Sequence, residues 1–138
     1  MIIIDYPVVR FRLMPQLATS YLYYIVGSHI LQLYSIYHKE TLDPKNKLAN
    51  ELHAVSAAAK AKTSWFSTEV IGNIRQFLGG HGYSSYSRLG RLYLDQELNT
   101  TWEGDNHMLL QQTVKYVLKN VQKLRSKEDP ADLLNFVN

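Results

Sequence analysis

Long runs of helical period, broken at a few well-marked points, constrain this chain more than any other feature. From about Tyr6 to Lys39, Leu13, Leu17, Tyr21, Tyr24, Ser28 and Leu31 recur at steps of three and four, the period of one helix face. Pro15 lies inside that run, so the helix either starts near it or bends there. Asp43-Pro44 then pairs an N-cap carboxylate with a proline suited to the first helical position, which predicts a second helix from Pro44 to about Leu78. Leu48, Leu52, Val55 and Ala59 mark its core face, continued by Phe66, Val70, Ile74 and Phe77. The small run Ala57-Ala58-Ala59 would let a neighbouring backbone come close, and Gly79 is a natural stop. Asp105 or Asn106 can cap a third helix whose core face is Leu110, Val114, Val117, Val121 and Leu124. Its other side carries Lys115, Lys119 and Lys123, the pattern of a solvated face. A second Asp-Pro, Asp129-Pro130, opens a short terminal helix, Ala131 to Val137. The expected fold class is all-α, an antiparallel up-and-down helix bundle. At 138 residues that is one domain, 1–138.

The composition narrows the function classes. Fifteen Lys and Arg against twelve Asp and Glu give a net charge of +3, too mild for a nucleic-acid signature. Cysteine is absent, which removes disulfides and Cys-based metal sites. The start, MIIIDYPVVRFRL, does not read as a secretory signal, and the last residues are not a peroxisomal address. Leu17 to Tyr37 carries no formal charge and would be long enough to span a bilayer. It nonetheless holds Thr19, Ser20, Ser28, His29, Gln32, Ser35 and five tyrosines, which is too polar for a lipid-facing helix. A helix buried within a soluble bundle is the expectation.

Between the second and third helices the glycines concentrate, and the stretch from about Gly79 to Asp105 reads as one long loop, the part of the chain expected to work. Gly79-Gly80-His81-Gly82-Tyr83 follows a helix directly; paired glycines permit positive φ and let amides approach a ligand. Such amides suit phosphate oxygens, although for so short a pattern a plain helix stop followed by a turn is the more ordinary reading. No GK[ST] follows and no strand precedes, so the turn is neither a Walker nor a Rossmann fingerprint. Glu103 lies between Trp102 and Gly104 at a helix mouth. Packing on Trp102 would desolvate its carboxylate and make it more basic, while the helix N-terminus works the other way. Such a group could act as a general base, or could merely complement the helix dipole. Glu103 and His107 stand four apart, but one pair is no metal site, and Glu51-Leu52-His53 lacks metal spacing.

The two motifs together are similar to a known family. GGHGY, followed some twenty residues later by TWEGDNHMLLQQT, resembles the C-terminal helical region of peroxisomal acyl-CoA oxidases, flavoenzymes related to the acyl-CoA dehydrogenases. Glu51-Leu52-His53-Ala54 matches an ELHA segment of that family, and DYPVVRFRLMPQLATSYLYY resembles the stretch in which Leu-x-Pro leads into a helix. The resemblance covers roughly Asp5 to Lys119. It implies that Glu103 is the catalytic base removing the α-proton of a fatty acyl-CoA, with FAD accepting the β-hydrogen as hydride and O₂ reoxidising it to give H₂O₂. It places Gly79 and Gly80 against FAD, Gly104 and Asp105 near the flavin, and implies a homodimer acting in peroxisomal β-oxidation. His81 receives no role. Trp102 stands where the family has Tyr or Phe and would narrow the acyl cavity, and Leu78 replaces a common cysteine. The family's other domains are not seen in these 138 residues, so the chain is expected to be a fragment or one excised domain of a longer polypeptide. A non-catalytic scaffold of the same fold, or a dehydrogenase using an electron carrier, are the alternatives.

Overall fold

The computed structural model describes residues 2–40 and 47–125, and all its regular elements are helical. Helix α1 spans Pro7–Glu40, α2 Lys47–Phe77, α3 Gly80–Tyr83, α4 Leu89–Glu97 and α5 Asn106–Arg125. The all-α antiparallel bundle expected from the periodicities is the architecture found. Asp43-Pro44 and the Ala131–Val137 segment lie outside the described residues.

Helix α1 starts at Pro7, not at Pro15. Pro7 occupies the first helical position, where a missing N–H costs nothing, and Tyr6 O accepts from the amides of Val9 and Arg10 at 3.0 and 3.2 Å. Pro15 sits inside the continuous helix. Its carbonyl accepts the Thr19 hydroxyl at 2.9 Å. No described helix is long and apolar enough to cross a membrane.

Helix α2 is the axis on which the others pack. Arg12 lies 4.4 Å from the Phe77 ring centroid and reaches Asn73 at 3.4 Å, while Tyr23 meets Phe66 edge-on at 5.2 Å. Residue numbers rise along α1 as they fall along α2, so the two are antiparallel. The same holds for α5, where Asn106 reaches Ser64, and Thr113 reaches the Ala54 carbonyl. Tyr93 of α4 lies on Gly72, where an added Cβ would be 3.4 Å from its ring.

The most deeply packed residues are small. Ala54, Ala57 and Ala61 are the buried hydrophobic residues among those described, joined on α2 by Glu51 and Ser64 and on α5 by Asn106 and Asn120. The alanine run thus does admit a close neighbour, and that neighbour is α5. The larger apolar stripes are displaced from their expected positions. On α1, Leu13 and Ser28 of the expected stripe are half-buried, but Leu17, Tyr21, Tyr24 and Leu31 are exposed, and Tyr23, Val26, Ile30 and Leu33 are half-buried instead. This helix carries apolar residues on most sides, so its period alone does not select the inward face. On α5, Val114 is exposed, and the seam runs through Asn106, Thr113, Val117 and Asn120.

Because Ala61 is 0 % exposed, Ala61→Leu is expected to overpack the α2–α5 seam and destabilise the fold by about 1–3 kcal/mol. Thermal unfolding of the two proteins side by side measures this, as a melting point lowered by several degrees.

Candidate functional site

The expected long loop is mostly structured. After α2, the chain forms the short α3, a 3-10 turn at Ser85–Ser87, the nine-residue α4, and a second 3-10 turn at Leu98–Thr100. Sequence periodicity missed α4 because the helix is short and contains Gly90. Its inward positions, Leu89, Tyr93 and Gln96, make only one full pass of the pattern. Arg88, at φ +58°, turns the chain into it.

At the glycine turn, Gly79 adopts φ +54°, a region open to glycine at little cost, and ends α2. An added Cβ would meet nothing within 4 Å at either Gly79 or Gly80, so this backbone faces open space. Gly82 plays a different part. It is buried, and a Cβ there would overlap the Arg75 carbonyl oxygen and stand 3.0 Å from its Cα. Sequence reading grouped the three glycines together; packing separates one spacer from two open positions.

Glu103 sits in the turn before α5, exposed, with φ +56°. A left-handed conformation costs a non-glycine residue about 1–2 kcal/mol, so something must hold it. Gly104 follows at φ +105°, where a Cβ would come within 3.0 Å of Leu109. Asp105 caps α5: its Oδ1 accepts the amides of His107 and Met108 at 2.9 and 3.3 Å. Trp102 is also exposed and donates its indole N–H back to Asn99 at 2.7 Å, so this chain alone does not desolvate Glu103. His107 turns to Trp65, ring centroids 5.0 Å apart. Among the described residues no His, Asp and Glu cluster could hold a metal ion.

Lys60 of α2 reaches this turn, donating to Gly104 O at 2.7 Å and to Asn106 Oδ1 at 2.9 Å. Asn106 Nδ2 in turn donates to Ala61 O at 3.2 Å and Ser64 Oγ at 2.9 Å. Glu103 shares a recess of about 180 Å³ with Lys60, Thr63, Ser64, Ser67, Gln96 and Asn99. The hydroxyls on its wall spend their protons on α2 carbonyls: Thr63 on Ala59, Ser64 on Lys60, Ser67 on Thr63, all at 2.7–2.8 Å. Their remaining oxygen lone pairs can accept. Lys60 was not singled out from sequence, and Asn106 only as an alternative cap to Asp105; the one usable signal for Lys60 was a lysine within an otherwise small run, Ala57 to Ala61.

The glycine turn and Glu103 are not adjacent. Asn106 docks at Ser64, and α2 continues thirteen residues to Phe77, roughly 20 Å at 1.5 Å per residue. Helix α4, together with the 3-10 turns on either side of it, returns the chain over that distance. Elsewhere, Lys115 and Lys119 are exposed, as expected of a solvated face, and Lys123 is half-buried, yet the stripe also borders α2. With Lys47, Asn50 and His53 they line a recess of about 270 Å³ between α2 and α5.

Comparison with known proteins gives the family. The acyl-CoA oxidase C-alpha1 domain family matches residues 1–118. The chain belongs to the acyl-CoA oxidase family. It is 33% identical over 141 residues to acyl-coenzyme A oxidase acox-3 of Caenorhabditis elegans, covering 99% of this chain and 21% of the relative. To the acyl-coenzyme A oxidase of Kluyveromyces lactis it is 36% identical over 127 residues, 85% of this chain and 17% of the relative. Peroxisomal acyl-coenzyme A oxidase 1 of Bos taurus is 31% identical over 136 residues, again 99% of this chain and 21% of the relative. The chain thus spans about a fifth of the length of these acyl-CoA oxidases. No solved structure matches it.

The spacer role of Gly82 is open to test. Gly82→Ala is expected to cost about 1–3 kcal/mol because the Arg75 carbonyl cannot move without disturbing α2. Gly80→Ala, with open space around it, is expected to leave the unfolding midpoint unchanged; denaturant titration of both variants checks the contrast.

Proposed function

We propose that this chain is the base-bearing helical domain of an FAD-dependent acyl-CoA oxidase, one domain of a longer polypeptide, acting in peroxisomal fatty-acid β-oxidation. The observation that carries the reading is Glu103, held with positive φ at the head of α5 and open to a shared recess. A base must reach its substrate from a fixed position, and a strained residue held by its surroundings meets that need.

On this reading the Glu103 carboxylate takes a proton from the α-carbon of a fatty acyl-CoA. The developing negative charge falls on the thioester oxygen, to which the Glu103 backbone N–H donates by similarity with the related dehydrogenases. Loss of the β-hydrogen from the neighbouring carbon completes a trans-2-enoyl-CoA. FAD, when bound, supplies the hydride acceptor for that hydrogen and a route for the electrons to O₂, giving H₂O₂.

The residues present fit such a cofactor. The open backbone at Gly79 and Gly80 leaves room for a phosphate-bearing group, and the roughly 20 Å from that turn to Glu103 suits an elongated molecule that touches both ends of α4. Gly104 and Asp105 would lie on its flavin side. A homodimer is part of the same proposal. Leu17, Tyr21, Tyr24 and Leu31 share one face of α1 and are 48%, 66%, 76% and 66% exposed, a face that supports further protein packing there.

The deciding experiment uses the full-length polypeptide that carries this chain. It is expected to purify with a flavin absorption band that bleaches when a saturated acyl-CoA is added without oxygen, and to release H₂O₂ in air. Glu103→Gln is expected to keep the band and lose turnover by at least about a thousandfold. Absence of the band after reconstitution with FAD would favour a scaffold. Bleaching with transfer to an artificial acceptor but little peroxide would favour a dehydrogenase.

A further inference from the structure

We propose that Lys60 is the positioning residue for Glu103, the latch that fixes the base-bearing turn to α2. This rests on reading Glu103 as the base. The ammonium donates on both sides of Asp105, to the Gly104 carbonyl at 2.7 Å and to Asn106 Oδ1 at 2.9 Å. Both are charge-assisted bonds, shorter and stronger than neutral ones. The first acceptor belongs to the residue next to Glu103, so the bond fixes the Gly104–Asp105 peptide, one unit beyond the base.

The second acceptor is itself held. Asn106 is 1 % exposed, and its Nδ2 is committed to Ala61 O and Ser64 Oγ. Turning the amide over would aim two N–H donors at Lys60 and an oxygen at the Ala61 carbonyl. Its orientation is therefore determined, and it presents a fixed oxygen to Lys60. Ser64 closes the set by donating to the Lys60 carbonyl at 2.8 Å. Each member satisfies another, so the network holds the turn in one geometry.

The lysine is suited to this work for definite reasons. Its four-carbon stem bridges from α2 to the turn, and its head offers three donors, two of which these acceptors use. The Asp105 carboxylate is occupied at the α5 amides, so it does not do the job. Lys60 also lines the same recess as Glu103, which places the latch beside the group it orients. It need not touch the substrate to matter, because a misplacement of about 1 Å can cost a hundredfold in rate.

The test uses the full-length flavin-loaded enzyme with Lys60→Met, which keeps the stem and removes every donor. Two readouts are needed. Amide hydrogen exchange at His107 and Met108, whose N–H groups bond Asp105 in this turn, is expected to quicken at least about tenfold. The kcat is expected to fall about tenfold to a hundredfold, with KM and flavin content nearly unchanged and a larger deuterium isotope effect on α-proton removal. Lys60→Arg, which restores donors with a different shape, should recover part of both. If Lys60→Met fails to fold, Lys60→Gln, neutral and shorter but still a donor, carries the same comparison. Wild-type exchange and wild-type kcat in the folded variant would overturn the proposal. Retained turnover in Glu103→Gln would instead overturn the base reading, while the exchange data would still judge the latch.

Discussion

The close approach of α2 and α5 is the constraint on which the rest of the structure depends. Ala54, Ala57, Ala61 and Ser64 bring no bulk to the seam, so the α5 backbone can lie near that of α2. Only at that spacing can Asn106 donate to the Ala61 carbonyl, and Thr113 to the Ala54 carbonyl. Burying polar groups such as Asn106 and Asn120 would be costly without partners. Asn106 bonds across the seam, and Asn120 donates to Tyr116 O on its own helix at 3.1 Å. The seam gives register as well as contact, since an asparagine bonded at both ends fits one alignment of the two helices.

That register sets the turn at the head of α5. Once Asn106 is seated against Ser64, the preceding residues must double back within a short span. The chain accomplishes this with positive φ at Glu103 and Gly104. A glycine accommodates the second position readily, but the first is occupied by a carboxylate. Glu103 remains exposed, on the wall of a recess whose polar groups come chiefly from α2, with Gln96 and Asn99 from the α4 side. The outer face of α1 shows the opposite character. It leaves Phe11, Leu17, Tyr21 and Tyr24 in solvent, more apolar surface than an isolated small domain usually presents along one helix.

The physical differences between the sequence reading and the structure follow one pattern. Period alone placed Leu17, Tyr21, Tyr24 and Leu31 inward, yet a helix with apolar residues on most sides offers more than one valid stripe. It also placed Val114 in the core, because size and apolarity outweighed the small polar residues that do fill the seam. The segment from Leu89 to Glu97 was read as loop, since nine residues with an internal glycine give little period to detect. Helix ends fared better: Gly79 stops α2, and Asp105 caps α5, because each depends on chemistry local to two or three residues.

By itself, then, the sequence determined the all-helical class, the long helices, the stop at Gly79, the cap at Asp105 and the motifs that mark an acyl-CoA oxidase. These are local properties, fixed by period, by backbone freedom and by side-chain type. Tertiary structure alone decided which face of α1 turns inward and that Gly82 rather than Gly80 is the sterically required glycine. It also decided that the lysines at 115, 119 and 123 share a recess with Lys47, and that Lys60 reaches across to the turn bearing Glu103. The reason is distance along the chain. Lys60 and Gly104 are 44 residues apart, and no local rule can bring them to 2.7 Å until α2, α4 and α5 have packed.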